Sequence, residues 1–145
     1  MTAPAIVKAM GECPAYRISP QDTNYFALIF DPQGDGADLT CVVEIFEKNG
    51  KTPPNMHPRA HEMFFILKGE AIARCGGIVA PLKAGDALLL RPGHMHEIEN
   101  TGPGKLYTLT VQVPNDEFAE LIRRGTPVTL DDEDKAVIAG LPLVR

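Results

Sequence analysis

Hydrophobic residues along the chain occur in short runs separated by turn-forming sequences. The runs are rich in β-branched and aromatic residues, as is typical of strands. They lie at residues 25–30, 39–47, 62–67, 87–90 and 106–113. Residues 71–75 and 78–82 flank Gly76 and Gly77 and predict a hairpin. Residues 94–100 show the two-residue alternation of a strand, with His94, His96, Ile98 and Asn100 on one face and Glu97 and Glu99 on the other. About eight short strands in sequence are typical of a β-sandwich or a barrel, so the pattern predicts an all-β core.

The hydrophobic pattern changes after residue 113. Asn115 can cap a helix over residues 116–124 that ends at Gly125. Residues 129–132 resemble a capping box before a second short helix that stops at Gly140. The sequence therefore predicts an N-terminal arm, a β-barrel and a C-terminal helical tail. Their boundaries are residues 1–24, 25–113 and 114–145.

The run at residues 62–67 is apolar on both faces of its predicted strand. Alternation places Glu62, Phe64 and Ile66 on one face. The other face carries His61, Met63, Phe65 and Leu67. A strand with two apolar faces is normally covered on both sides. We expect the N-terminal arm or a second subunit to cover the outer face, and we predict a homodimer.

Composition and charge exclude several classes of function. The chain has 145 residues and a net charge of −5, so we expect one domain and no nucleic-acid partner. Cys13, Cys41 and Cys75 are widely spaced, which is typical of reduced thiols in a cytosolic protein. The sequence has no signal-peptide pattern and no apolar run near the ~18 residues of a membrane span. The prediction is a cytoplasmic protein without a membrane partner.

The histidines point to the chemistry of the chain. All four, His57, His61, His94 and His96, lie in two segments at residues 50–69 and 85–100. The first segment also contains Glu62. Histidine and glutamate are common ligands of zinc, iron, nickel and manganese. A fold that brings these two segments together could build a metal site.

The spacing within the first segment resembles the first motif of the cupin family. Six residues separate Glu62 from Gly69, as in that motif, and His57 stands where the motif has its second histidine. The first histidine of the motif is replaced by Asn55.

The second segment resembles the second cupin motif. Gly85, Gly93, His96 and Asn100 match its positions, while Arg91 replaces its proline. Together the motifs make residues 39–113 similar to a small single-domain cupin. The resemblance implies a double-stranded β-helix, which is a jelly-roll barrel, with the short helices following it.

The resemblance also implies a metal site inside the barrel. Carried over position by position, the ligands would be His57, Glu62 and His96. Such a 2-His-1-carboxylate set can hold one divalent metal, Fe, Mn, Ni or Zn, and leave positions open for a ligand. Asn55, His61 and His94 remain candidates for a further ligand or for a supporting role. By strand alternation, His61 should point out of the barrel unless a bulge intervenes.

Three interpretations of function follow. In the first, Phe64, Ile66 and Ile98 line a pocket in which the metal acts on a small molecule bearing a carboxylate or hydroxyl group. Dioxygenase, isomerase and lyase reactions all occur on this fold, and the fold does not choose among them. The alternative is a metal-free cupin that binds or senses a small ligand without catalysis. The third interpretation is a role in protein–protein contact.

Overall fold

The computed structural model describes residues 3–140, which form ten β-strands, three short α-helices and one 3-10 turn at Met10–Glu12. The strands are β1 Ala15–Arg17, β2 Asn24–Phe30, β3 Thr40–Phe46, β4 His61–Lys68, β5 Glu70–Cys75, β6 Ile78–Lys83, β7 Ala87–Leu90, β8 His96–Asn100, β9 Leu106–Val113 and β10 Thr126–Pro127. The helices are α1 Pro32–Asp35, α2 Phe118–Arg123 and α3 Asp132–Ile138. Within residues 3–140, no helix has the length and apolar character needed to cross a membrane.

The strands form two antiparallel sheets that pack face to face. The larger sheet has the strand order β10-β1-β2-β3-β9-β4-β7, and the smaller has the order β6-β5-β8. Some neighbouring strands are consecutive in the chain, such as β2–β3 and β5–β6, whereas others are far apart in sequence, as in the pairing of Glu62 on β4 with Gln112 on β9. The prediction of an all-β jelly roll with short C-terminal helices is confirmed.

The inner face of the larger sheet changes character along its strands. At one end, Phe46, Ile66 and Leu106 pack with Ala71 and Ile98 of the smaller sheet. In the middle, β3 turns Glu44 towards the interior between Val42 and Phe46, and all three are buried. The barrel therefore has a packed apolar end and a polar middle on the same strands.

Helix α3 covers the outer face of the larger sheet at β2 and β3. Asp131 caps the helix and forms a capping box with Asp134, so the box begins two residues after Thr129, where the sequence suggested its start. The buried Asp134 carboxylate accepts hydrogen bonds from Tyr25 (2.8 Å) and Tyr107 (2.6 Å) and pairs with Lys105 (3.1 Å). These contacts tie the C-terminal tail to β2 and β9.

The outer face of β4 has no such cover within residues 3–140. Phe65 and Leu67 on β4, Leu89 on β7 and Val113 on β9 are between 37% and 55% exposed. Cross-strand pairing brings these side chains onto one surface, which we call the outer apolar patch. The N-terminal segment does not reach it, because β1 pairs with β2 at the other side of the sheet.

Helix α2 closes the open end of the barrel. Its Ile122 packs with Phe26, Leu28 and Val42. Phe118 packs edge-on against Phe26, with ring centroids 5.6 Å apart. The side-chain oxygen of Asn115 accepts a hydrogen bond from the Ala119 amide (3.0 Å), which supports the first turn of the helix.

Candidate metal and ligand site

A cavity of about 240 Å³ lies beneath α2, between the two sheets. Most of its wall is apolar, and the polar side chains in the wall come from both sheets, from the loop between β1 and β2 and from the loop before β4. The lining residues are Ile18, Ser19, Asp22, Asn24, Phe26, Glu44, Thr52, Pro53, Asn55, His57, Glu62, Phe64, His96, Phe118 and Leu121.

Three of these side chains converge on one point. The ligand atoms of His57, Glu62 and His96 all lie within 4.8 Å of one another. Oε1 of Glu62 lies 3.1 Å from Nε2 of His96 and 3.4 Å from Nε2 of His57. Atoms that share one metal at bond lengths of about 2.0–2.2 Å lie roughly 3–3.5 Å apart. The spacing of this His–Glu–His group therefore suits one metal ion.

Backbone pairing fixes the loop that carries His57. Asn55 exchanges two backbone hydrogen bonds with His96, of 3.0 Å and 2.8 Å. The Gly93 amide donates to the carbonyl of His57 (2.9 Å). This short antiparallel bridge holds the loop against β8 and places the two imidazole rings 5.4 Å apart.

The carboxyl group of Glu62 is held in its charged form. Burial acts to raise its pKa, but His57 and His96 act to lower it and prevail, so the pKa of Glu62 lies below its ordinary value. A buried carboxylate of this kind is available to a cation at neutral pH.

The histidine nitrogens are arranged for ligation. Nδ1 of His96 lies 3.3 Å from the carbonyl oxygen of His94, and a carbonyl can only accept. Nε2 of the same ring faces the Glu62 carboxylate at 3.1 Å, which is also an acceptor. If Nε2 bound a metal, the ring hydrogen would sit on Nδ1 and donate to the His94 carbonyl. Nε2 of His57 is buried and makes no hydrogen bond among residues 3–140, although Oε1 of Glu62 lies 3.4 Å away. A cation between these atoms would satisfy all three.

The other predicted site residues lie outside this group. His61 is exposed on the outer face of β4, as strand alternation suggested. The His94 ring is exposed, and only its backbone carbonyl reaches His96. Asn55 lines the cavity, but its side-chain amide donates to the Pro53 carbonyl (2.9 Å).

Only one of the three apolar residues expected to line the pocket does so. Phe64 lines the cavity. Ile66 and Ile98 face the barrel interior but belong to the packed apolar end, with Phe46 and Leu106. Their strand phase is inward, yet they lie too far along the strands to reach the cavity.

Glu44 is a cavity residue that the sequence interpretation missed. It is fully buried on β3 and accepts hydrogen bonds from Asn24 Nδ2 (2.9 Å) and Thr110 Oγ1 (3.4 Å). Burial and the nearby Glu62 charge raise the pKa of Glu44 to about 8. The available signal was a lone acidic residue in the apolar run Thr40–Phe46.

Comparison with protein families identifies the class of fold. Residues 42–112 match the family model described as "Cupin domain". Both motifs and all three members of the His–Glu–His group lie within this stretch. The chain therefore contains a small cupin domain.

Individual relatives are similar to this domain. An oxalate-binding protein of Thermotoga maritima is 37% identical over 67 residues, which is 42% of this chain and 55% of that relative. The match thus spans little more than half of the relative's length.

Solved structures share the fold. A predicted oxalate decarboxylase from Thermotoga maritima superposes with a TM-score of 0.67 at 24% identity, over 75% of this chain and 99% of that chain. An RmlC-like cupin from Shewanella frigidimarina gives a TM-score of 0.66 at 17% identity, over 82% and 99% of the two chains. At these identities the likeness shows the fold alone.

Proposed function

We propose that the chain binds one divalent transition metal through His57, Glu62 and His96 and uses it to hold a small molecule. The observation that carries this proposal is the unpartnered, buried Nε2 of His57 beside the Glu62 carboxylate. A buried polar atom without a partner is costly, and a metal ion would remove that cost. Iron, manganese, nickel and zinc all suit two imidazoles and one carboxylate.

With His57, Glu62 and His96 as its protein ligands, a bound metal would keep coordination positions for a small molecule. A bound metal in such a site supplies Lewis-acid chemistry or an oxygen-binding position. The surrounding residues contribute exclusion of water, because Phe26, Phe64 and Phe118 form an apolar wall. Dioxygenase, isomerase and lyase chemistry are all compatible with this arrangement.

A carboxylate-bearing ligand fits the proposal. The similar Thermotoga maritima protein is named for oxalate binding. The cavity volume of about 240 Å³ is below the roughly 300–1,000 Å³ of sites for drug-sized ligands. We propose a small carboxylate or hydroxycarboxylate as the ligand of this chain.

The supporting residues have separate roles in this proposal. The His94 carbonyl would accept a hydrogen bond from Nδ1 of a metal-bound His96, and the Asn55 backbone holds the His57 loop. Asn55 occupies the position of the missing motif histidine, where its amide oxygen can hold a metal-bound water. His61 takes no part, because it lies on the outer face.

A metal-free binding protein is the second candidate. It is favoured by the 3.1 Å contact between Glu62 and His96, which a protonated imidazole can satisfy without a metal. In that state the charged His96 and Glu62 would form the polar end of a ligand pocket.

Metal analysis separates the two candidates. We expect protein purified without added metal to contain up to one transition metal per chain. After treatment with a chelator, Fe(II), Mn(II), Ni(II) or Zn(II) should raise its melting temperature, and oxalate should raise it further only with metal. A protein that takes up none of these metals and gains no thermal stability from them is a metal-free cupin.

A further inference from the structure

The cavity has a second polar region away from the His–Glu–His group. Asn24 on β2 and Glu44 on β3 both line the cavity, and both are at least 97% buried. Nδ2 of Asn24 donates to Oε2 of Glu44 at 2.9 Å. We call these two residues the Asn24–Glu44 pair.

One atom of this pair has an unmet hydrogen bond. Oδ1 of Asn24 is buried and has no partner among residues 3–140. Buried polar atoms in folded proteins are almost always paired, so this acceptor on a cavity-lining residue requires a donor, which a bound molecule can supply.

The Glu44 side of the pair offers a complementary atom. Oε2 is occupied by Asn24, whereas Oε1 has only a long contact of 3.4 Å with Thr110. The hydrogen-bond partners of the Glu44 carboxyl are the uncharged Asn24 and Thr110, and no cationic side chain among residues 3–140 forms an ion pair with it. Full burial is the main cause that raises the pKa of Glu44 to about 8, so the carboxyl carries a proton at neutral pH. With Oε2 already accepting, that proton sits on Oε1, where Glu44 can act as a donor.

We propose that the Asn24–Glu44 pair is a recognition site for a hydroxyl group on the ligand whose other end binds at the His–Glu–His group. A hydroxyl group can donate to Asn24 Oδ1 and accept from Glu44 at the same time. A carboxylate can only accept and an ammonium group can only donate, so neither satisfies both atoms.

The rest of the wall defines the middle of this ligand. Phe26, Phe64, Phe118 and Leu121 line the cavity together with the two polar regions. They favour a short aliphatic segment between the chelating group and the hydroxyl group. The ligand class is therefore a small ω-hydroxycarboxylate, which oxalate does not match because it has no hydroxyl group and no apolar segment.

This inference rests on the proposed function for the chelating end of the ligand. The test compares matched ligands that differ only in the terminal hydroxyl group. Propionate, butyrate and valerate would be compared by calorimetry with their ω-hydroxy forms, with oxalate as a reference. Each would be measured on zinc-loaded and on metal-free protein.

We expect at least one hydroxylated acid to bind the zinc-loaded protein at least about tenfold more tightly than its parent acid, because the parent leaves the buried acceptor unpaired. Equal affinities of every parent acid and its ω-hydroxy form would overturn the inference, and this outcome requires no variant protein. If the protein takes up metal but binds each ω-hydroxy acid and its parent acid equally, the hydroxyl site alone is refuted. If the ω-hydroxy acids still bind more tightly but the protein takes up no metal, only the metal site is refuted.

Variants assign the preference to the pair. Asn24→Leu and Glu44→Leu should each reduce the affinity ratio to about one, because each removes a hydrogen-bonding atom. Glu44→Gln should keep the ratio, since its amide both accepts from Asn24 and donates into the cavity. Glu47→Leu is the matched control, because Glu47 follows the same strand but bonds to Arg17 outside the cavity. A ratio unchanged in both Asn24→Leu and Glu44→Leu would contradict the assignment.

Discussion

His61 and Glu62 are adjacent in the chain, but their side chains lie on opposite faces of β4. Glu62 is 4% exposed and points into the cavity, whereas His61 is exposed on the outside of the barrel. The pleat of a strand makes this separation obligatory in the absence of a bulge. Proximity in sequence therefore does not make His61 part of the His–Glu–His group.

Single histidine replacements test this division. His96→Ala should abolish metal retention, with a loss of affinity beyond the roughly 10- to 100-fold typical of changes outside the ligand set. His61→Ala and His94→Ala should retain the metal, because one ring lies on the outer face and the other contributes only its backbone carbonyl. Elemental analysis after gel filtration measures the outcome. Loss of metal in His94→Ala with retention in His96→Ala would mean that the wrong histidine has been assigned.

The pH dependence of stability reports the state of Glu44. Its pKa is raised from 4.5 to about 8 in the folded protein. Between these values the folded chain holds a proton that the unfolded chain has lost, so the free energy of unfolding falls as pH rises from about 5 to 8. This effect is on the order of a few kcal/mol. Below pH 4.5, Glu44 causes no change of the free energy of unfolding with pH, because it is protonated in both the folded and the unfolded state.

The measurement is urea unfolding of metal-free protein at pH 5, 6.5 and 8 in the presence of a chelator. Glu44→Gln should have a smaller loss of stability across this range, because its amide does not titrate. Equal slopes in Glu44→Gln and the unchanged protein would show that Glu44 ionises normally.

The contacts of Asp134 predict a stability effect far from the cavity. Asp134→Ala removes the acceptor shared by Tyr25, Tyr107 and Lys105 and should lower the free energy of unfolding by roughly 2–4 kcal/mol. Asp132→Ala on the same helix is the control, since Asp132 is exposed. Thermal unfolding compares the two. A similar effect of both changes would mean that the buried network contributes little.

The outer apolar patch predicts self-association. Exposed apolar side chains grouped on one surface often mark an interface. We propose that Phe65, Leu67, Leu89 and Val113 lie at the contact of a homodimer. Light scattering at micromolar concentration should give twice the 15.7 kDa mass of the chain.

A charge placed in the patch tests the position of that contact. Phe65→Lys and Leu89→Lys should each shift the mass towards the monomer, because a buried unpaired charge opposes association. Ile78→Lys, which changes an exposed residue of the smaller sheet, should leave the mass unchanged. A monomeric mass for the unchanged protein would exclude this role for the patch.

Much of the fold could be predicted because strand alternation and motif spacing are local properties. The period of two separates Glu62 from His61, and the motif spacing selects His57 and His96 from four histidines. Depth along the barrel is a tertiary property that alternation does not encode. Ile66 and Ile98 therefore share the inward phase of Phe64 but lie in the packed end.

Glu44 and Asn24 show a different limit of sequence interpretation. Asn24 comes just before the apolar run at residues 25–30, and Glu44 is inside the run at residues 39–47. Nothing local indicates that β2 and β3 bring the two side chains together. Phe118 and Leu121 similarly fit the pattern of an ordinary amphipathic helix. Their place in the cavity wall depends on how α2 packs against the end of the barrel.

The division of the inner face along its strands separates two kinds of constraint on the sequence. Phe46, Ile66 and Leu106 maintain the packing between the sheets, while Asn24 and Glu44 line the cavity. Substitutions at the cavity positions can change which molecules are accepted without disturbing the contacts that close the barrel. Related chains can therefore diverge in ligand choice while their backbones remain superposable.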